Sequence, residues 1–357
     1  MKNTLKHAFF AANSCDGFVS HFSDFFSVKE GYRVYIIKGG PGTGKSTFMK
    51  SVASKALSMG RNVIKSPCSS DPDSLDAVIL EDTKTVVLDG TAPHTVEPIY
   101  PGACENIINL GEFFDTEKLF ENREKIKTLT DRNRIIHGIA SGYLSAAGEL
   151  LEKSAESAGK NIDYKKAEKF AQTAAKKYLK QKRAGGKITE RFLSGITPKG
   201  FYDFSQELYE RSKKRIIIAD NSYAVSSFIL GLIKNEAKKR GYNVTVYKNP
   251  FLPQMLTDSL EIEEAGLCVM SENAYIHLHA PERRIRAGRF KSGFESSGKR
   301  QETFSKRVFK ELIGSAVNIL KTAKQVHDEL ESCYISAMDF KSLEKYTDKK
   351  AAEILKK

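Results

Sequence analysis

Short β-branched apolar runs alternate along the chain with longer stretches whose apolar residues recur at helical spacing. Runs at 33–38 and 215–219 read as strands, each followed by a helix, at 45–57 and 226–239. Further runs at 62–66 and 85–88, and again at 243–247 and 267–270, complete the same order twice. Strands alternating with helices predict an α/β fold of βαβ units, with a parallel sheet covered on both faces. Each half closes with charged helical sequence, at 116–156 and 164–180, then at 301–331 and 340–356. These segments predict a long helical hairpin appended to each sheet, with Asp163 and Asp339 as N-caps of the second helices.

The repeated order is matched by self-similarity. Residues 9–26 lie over 192–209 at an offset of 183, so that Phe9 meets Phe192, Gly17 meets Gly200 and Phe18 meets Phe201. Gly60 and Val63 match Gly241 and Val244 at an offset of 181, and residues 163–170 match 339–346 at an offset of 176. Three matches in one order, with the offset drifting in small steps, indicate a duplication into 1–184 and 185–357, joined by a linker at 182–187.

Composition changes this picture little. The 357 residues suit two domains. Five cysteines far apart, with no C-x-x-C, argue against a disulfide framework and for a reducing compartment. No apolar run approaches the ~18 residues of a spanning helix, and the stretch before Cys15 is too short for a signal peptide core. A cytoplasmic protein is expected. Charge adds one feature. Of the net +13, six come from a stretch between Glu282 and Arg307, with nine basic residues against three acids. The basic residues from Arg283 to Arg307, interleaved with Phe290, Phe294 and Phe304, offer a nucleic-acid or protein partner a surface, or lend an arginine to an active site.

The strongest chemical signal is Gly39-Gly40-Pro41-Gly42-Thr43-Gly44-Lys45-Ser46, a match to G-x-x-x-x-G-K-[ST] at a strand-to-helix turn. Glycines there let backbone N–H groups curl around phosphates, and the helix N-terminus adds partial positive charge. Lys45 is placed to reach the β- and γ-phosphates, Ser46 to ligate Mg²⁺, and Thr47 to touch the α-phosphate. The strand 85–88 ends in Asp89, the usual form of a second magnesium-holding acid. Gly90 follows where many brisk ATPases carry a water-activating glutamate, so the catalytic base is open. Asp71, Asp73 and Asp76 are candidates, as are His94 and Glu97; Asp71 and Asp73 serve equally well as turn or helix caps. In the second half, at an offset of 181, Lys45 falls on Ser226, Ser46 on Ser227 and Asp89 on Met270, which leaves nothing to hold Mg-triphosphate.

At these motifs the chain resembles the P-loop NTPase superfamily, and within it a group of bacterial tandem P-loop proteins described only as ATPases or predicted nucleotide-binding proteins. The resemblance rests on residues 7–13, 38–47, 68–76 and 87–94 and covers nearly the whole chain. It implies two duplicated P-loop domains and binding of ATP with Mg²⁺, but no substrate. Three functions are consistent with these residues. The first is slow or regulated ATP hydrolysis; the second is a small-molecule or nucleotide kinase using Asp71 or Asp73; the third is a nucleic-acid-associated factor using Arg283 and its neighbours.

Overall fold

The computed structural model describes residues 4–22, 30–92, 95–182, 185–292 and 299–356. The first half builds β1 (Leu5–His7), the hairpin β2 (Ala11–Ser14) and β3 (Gly17–Ser20), β4 (Arg33–Lys38), α1 (Lys45–Ser58), β5 (Val63–Pro67), β6 (Leu75–Leu80), β7 (Thr85–Asp89) and β8 (Glu105–Asn109). Helices α2 (Thr116–Glu121), α3 (Arg123–Gly159) and α4 (Tyr164–Tyr178) follow. The second half repeats the plan with β9 (Ile188–Arg191), the hairpin β10 (Ser194–Thr197) and β11 (Gly200–Asp203), α5 (Ser205–Arg211), β12 (Lys214–Ala219), α6 (Ala224–Lys239), β13 (Val244–Lys248), β14 (Thr257–Ile262), β15 (Leu267–Glu272) and β16 (Arg284–Arg286). Helices α7 (Lys299–Ile335) and α8 (Phe340–Lys356) close it.

The two six-stranded sheets have the same order, β1-β5-β6-β7-β4-β8 and β9-β13-β14-β15-β12-β16. They are mostly parallel, not wholly so: β6 and β14 each run antiparallel to both neighbours. Strands β6 and β14 are absent from the sequence expectation, which ran the chain from the second strand straight to the third. In β4, Val34 and Ile36 are buried on one face while Tyr35 and Ile37 are buried on the other. That double burial is why the central strands read as continuous apolar runs.

Helix ends follow local chemistry. Asp163 accepts a hydrogen bond from the Lys166 N–H at 3.0 Å, and Asp339 from the Ser342 N–H at 3.1 Å, as the N-cap expectation requires. The expected hairpins do not form: α4 does not pack along α3, nor α8 along α7, and the last helix of each half crosses to the sheet of the other half. Helix α8 packs Leu343, Ala351, Ile354 and Leu355 against Phe48, Met49 and Val52 of α1 and the first sheet. Reciprocally, α4 packs Ala167, Ala171 and Ala174 against Ile229 and Ile233 of α6 and the second sheet. Burying side chains such as Leu343, Ile354 and Leu355 contributes roughly 1.5–3 kcal/mol each, so the exchange is held mainly by apolar area. Polar ties across it are Lys55 to Asp348 at 2.6 Å and the Arg61 guanidinium to the Leu355 carbonyl at 2.7 Å. Between the sheets α3 and α7 run antiparallel, with Leu129 against Val326 and Leu330 at one end and Leu144 against Ile313 and Leu320 further along. The exchange puts the C-terminal end of α7 over the turn between β4 and α1.

Candidate functional site

That turn is the glycine loop, 39–44. Gly42 (φ 67°) and Gly44 (φ 84°) take left-handed backbone conformations that side chains resist, which brings the chain from β4 into α1. The Thr43 hydroxyl donates to the Gly40 carbonyl at 2.8 Å, and Thr43 is buried beneath the loop. Lys45, the first residue of α1, folds its ammonium back on the loop, 2.7 Å from the Gly40 carbonyl and 3.2 Å from that of Gly39. It also lies 3.6 Å from the Asp89 carboxylate at the end of β7. The Ser46 hydroxyl accepts from the Leu75 N–H at 3.0 Å, while Thr47 is exposed.

Asp89 is held by Thr91, whose N–H and hydroxyl donate to Oδ1 at 2.9 and 2.6 Å. Burial raises its proton affinity above the ordinary carboxylate value, opposed by Lys45 and Thr91 and reinforced by the nearby charge of Asp76. Asp76 sits buried in β6, next to Cys68 and Asp89. Gly90 makes room for Ile36: a Cβ there would stand 2.3 Å from the Ile36 side chain. Close packing of β7 on β4 therefore excludes the glutamate that the sequence lacks.

The other acids are otherwise engaged. Asp71 shapes the turn before β6, accepting from the Ser74 hydroxyl at 2.9 Å and the Asp73 N–H at 3.3 Å, and lies 3.8 Å from the Lys324 ammonium. Asp73 is exposed and bonded to Lys199 at 2.5 Å, which holds its carboxyl below the usual range. Asp71 thus takes the turn-capping alternative, whereas the Asp73 carboxylate is paired with Lys199 and caps neither turn nor helix among the described residues. Glu97 pairs with Lys38 at 2.5 Å. His94 lies outside the described residues.

Helix α7 contributes groups that sequence reading did not bring to this place. The Gly40 backbone is so close to Tyr334 that a Cβ would stand 2.5 Å from its ring, and one on Gly42 would stand 2.9 Å from Ile335 and 3.1 Å from Glu331. Glu331 is held below its ordinary value first by His327, 3.5 Å away on α7, with Lys324 and the Gly42 N–H adding to it against partial burial. Lys324, His327, Glu331 and Tyr334 recur at helical spacing beside the apolar seam of α7, a pattern legible in sequence without an indication of what it faces.

In the second half the corresponding turn is two residues shorter. The left-handed residue before α6 is Tyr223 (φ 61°), which corresponds to Gly44, so Lys45 corresponds to Ala224 and Ser46 to Val225 rather than to Ser226 and Ser227. Strand register likewise sets Asp89 against Ser271, not Met270, because Ile37 pairs with Asp89 as Ile218 pairs with Ser271. Asp220 closes this shorter loop, accepting from the Ser226 N–H at 2.9 Å and from the Ser222 hydroxyl at 2.6 Å.

The basic segment lies at the far edge of the second sheet. Arg284 pairs with Glu272 and Lys306 with Glu302, while Arg283, Arg286, Arg289 and Lys291 are exposed; residues 293–298 lie outside the described residues. The second-half side chains at the glycine loop come from the opposite end of α7 and, with Leu343, from α8, not from this segment. No helix of the described residues is long and apolar enough to cross a membrane.

The chain matched no protein-family model, no curated protein and no solved structure in comparisons with each.

Proposed function

We propose that the glycine loop binds the phosphates of a nucleoside triphosphate with Mg²⁺, ATP in the simplest case, and that the protein is a slow or regulated ATPase with a single working loop of P-loop type. The observation that carries this reading is the convergence of four elements: a glycine turn with two left-handed positions, the N-terminus of α1, Lys45, and Asp89 at the end of the neighbouring strand. Turned outward from the Gly39 and Gly40 carbonyls, Lys45 would meet phosphate oxygens with the two donors it now spends on the backbone.

The donor set suits magnesium that arrives with phosphate. Among the described residues no cluster of three or more acidic, histidine or cysteine side chains could hold a metal unaided. Mg²⁺ needs only one or two protein oxygens beside phosphate and water, and Ser46 Oγ with the Asp89 carboxylate supplies them. When bound, magnesium would neutralise phosphate charge and hold the β- and γ-oxygens. Asp89 is kept near its task by Thr91, and its burial beside Asp76 favours a cation there over an unpaired charge. With no side chain possible at Gly90, Asp76 is the buried carboxylate left to orient water, which accords with slow turnover.

The test is phosphate release and equilibrium binding of Mg-ATP by the full chain and its Lys45→Ala variant, with GTP as the competing nucleotide. Binding and turnover lost in Lys45→Ala are expected. Absence of binding for either nucleotide, or binding indifferent to Lys45, would overturn the reading.

A further inference from the structure

Helix α3 carries two apolar faces. One is the seam with α7, to which α3 brings Ala140, Leu144, Ala147 and Leu151, all buried. The other looks outward. Ile135, Ile139 and Tyr143 are 65%, 49% and 37% exposed, and Gly138, Gly142 and Ala146 between them are exposed as well. At ~100° per residue these six positions share a sector of ~140°, clear of the seam. A Cβ on Gly138 or Gly142 would meet nothing within 4 Å among the described residues, so the glycines are notches open on the outer face.

The other half of the duplication shows that the fold does not require this stripe. Helix α7 is the counterpart of α3, with the same 37 residues at an offset of 176. The seam is kept across that offset: Ala140, Leu144 and Ala147 correspond to Ala316, Leu320 and Ala323, which are also buried. The outer face is not kept. Ile135, Ile139, Gly142 and Ala146 correspond to Glu311, Ser315, Asn318 and Thr322. A polar outer face thus serves the pairing of these helices equally well. An exposed apolar stripe that folding does not need marks a contact outside the chain.

We infer that α3 is a dimerisation helix, whose outer stripe packs antiparallel on the same stripe of a second copy of this chain. The stripe is complementary to itself reversed. Turned end for end about a point between Ala140 and Ser141, Ile135 falls opposite Ala146, Ile139 opposite Gly142 and Tyr143 opposite Gly138. Every large side chain then meets a small one, as interdigitating helices require. The same turn sets Arg132 opposite Glu149, both exposed, and two-fold symmetry makes that pair twice. A parallel pairing in register would set Ile135 on Ile135 and Arg132 on Arg132, bulk on bulk and like charge on like. Three large side chains from each copy make a contact at the small end of specific interfaces, so the dimer is transient, with a Kd on the order of tens of micromolar.

The experiment is sedimentation velocity of the full chain from about 1 to about 300 µM, the range in which such small interfaces associate. A reversible monomer–dimer equilibrium is expected. Ile139→Arg, at an exposed position, should be monomeric throughout with its thermal transition unchanged. Arg132→Glu and Glu149→Arg should each weaken association roughly tenfold, because each sets like charges opposite one another twice. The double variant should return to within about threefold of the unaltered chain. Within one helix the two positions are ~25 Å apart, so that recovery can arise only between copies running antiparallel. A monomer at every concentration would overturn the inference and give the stripe to a different partner. A dimer indifferent to Ile139→Arg, or single charge changes that the double variant does not repair, would overturn it as well.

Discussion

Phe9 and Phe192 exchange both backbone hydrogen bonds, Phe9 N–H to the Phe192 carbonyl at 2.8 Å and Phe192 N–H to the Phe9 carbonyl at 2.9 Å. The two residues occupy the same position in the two halves, so each contacts its own counterpart, as across the two-fold axis of a dimer. Asn13 extends the relation by donating to the carbonyl of its counterpart Ile196 at 3.0 Å. With α4 and α8 exchanged as well, the chain has the contacts of a homodimer joined into one polypeptide.

Separate polypeptides 1–184 and 185–357 should therefore need each other. Alone, the first lacks α8 over Phe48, Met49 and Val52, and the second lacks α4 over Ile229 and Ile233. Co-expressed, they should co-purify as a one-to-one complex, and each alone should aggregate or fail to unfold cooperatively. A stable, monomeric 1–184 with a sharp thermal transition would contradict the exchange.

Asp220 caps the loop of the second half, buried and bonded to Ser226 and Ser222. Asp220→Ala should cost about 1–2 kcal/mol, the usual loss of a helix cap with a buried donor left unmet, read from the urea midpoint. It should not create a second nucleotide site, because Ala224 stands where Lys45 stands in the first half. Calorimetric stoichiometry should stay at one nucleotide per chain.

Gly40 and Tyr334 should be coupled. Gly40→Ala would place a methyl 2.5 Å from the Tyr334 ring and push α7 away. The single variant should lose about 1–3 kcal/mol of stability, and adding Tyr334→Ala should return much of it. A double-mutant cycle with a coupling near zero would show that α7 does not bear on the loop.

Asp258, in β14, is buried beside Asp203 and Tyr223; Asn249 donates to Oδ1 at 2.9 Å, while Oδ2 lacks a hydrogen-bond partner among the described residues. Burial, reinforced by Asp203, pushes its carboxyl up to about 7. The folded state therefore holds a proton that the unfolded state releases near pH 4, and stability falls as pH rises between those values. Asp203, raised to about 6 by burial, acts in the same direction. Asp258→Asn should thus raise Tm by a few degrees at pH 8 and hardly at all at pH 4.5. An equal gain at both pH values would mean that the carboxyl is not protonated in the fold.

What could be read from the chain alone was whatever depends on near neighbours. Periodicity located β4, α1, β7 and the long closing helices within a few residues, and capping chemistry identified Asp163 and Asp339. The glycine spacing marked residues 39–46, because a backbone turned left-handed twice leaves a local composition that few other structures require. Strands β6 and β14 are absent from the sequence reading, and their antiparallel direction comes from pairing alone, since a buried apolar strand carries no mark of its direction. Asp71, Asp73 and Asp76 look alike in sequence. They separate only when Lys324 and Lys199 pair with the first two and β6 buries the third beside Asp89. The exchange of α4 and α8 is equally invisible in sequence, because the apolar face of α8 fits α1 or α6 by the same rule of burial. Which sheet receives it depends on the course of α7 between the two halves, and that course is what seats Glu331 on Gly42.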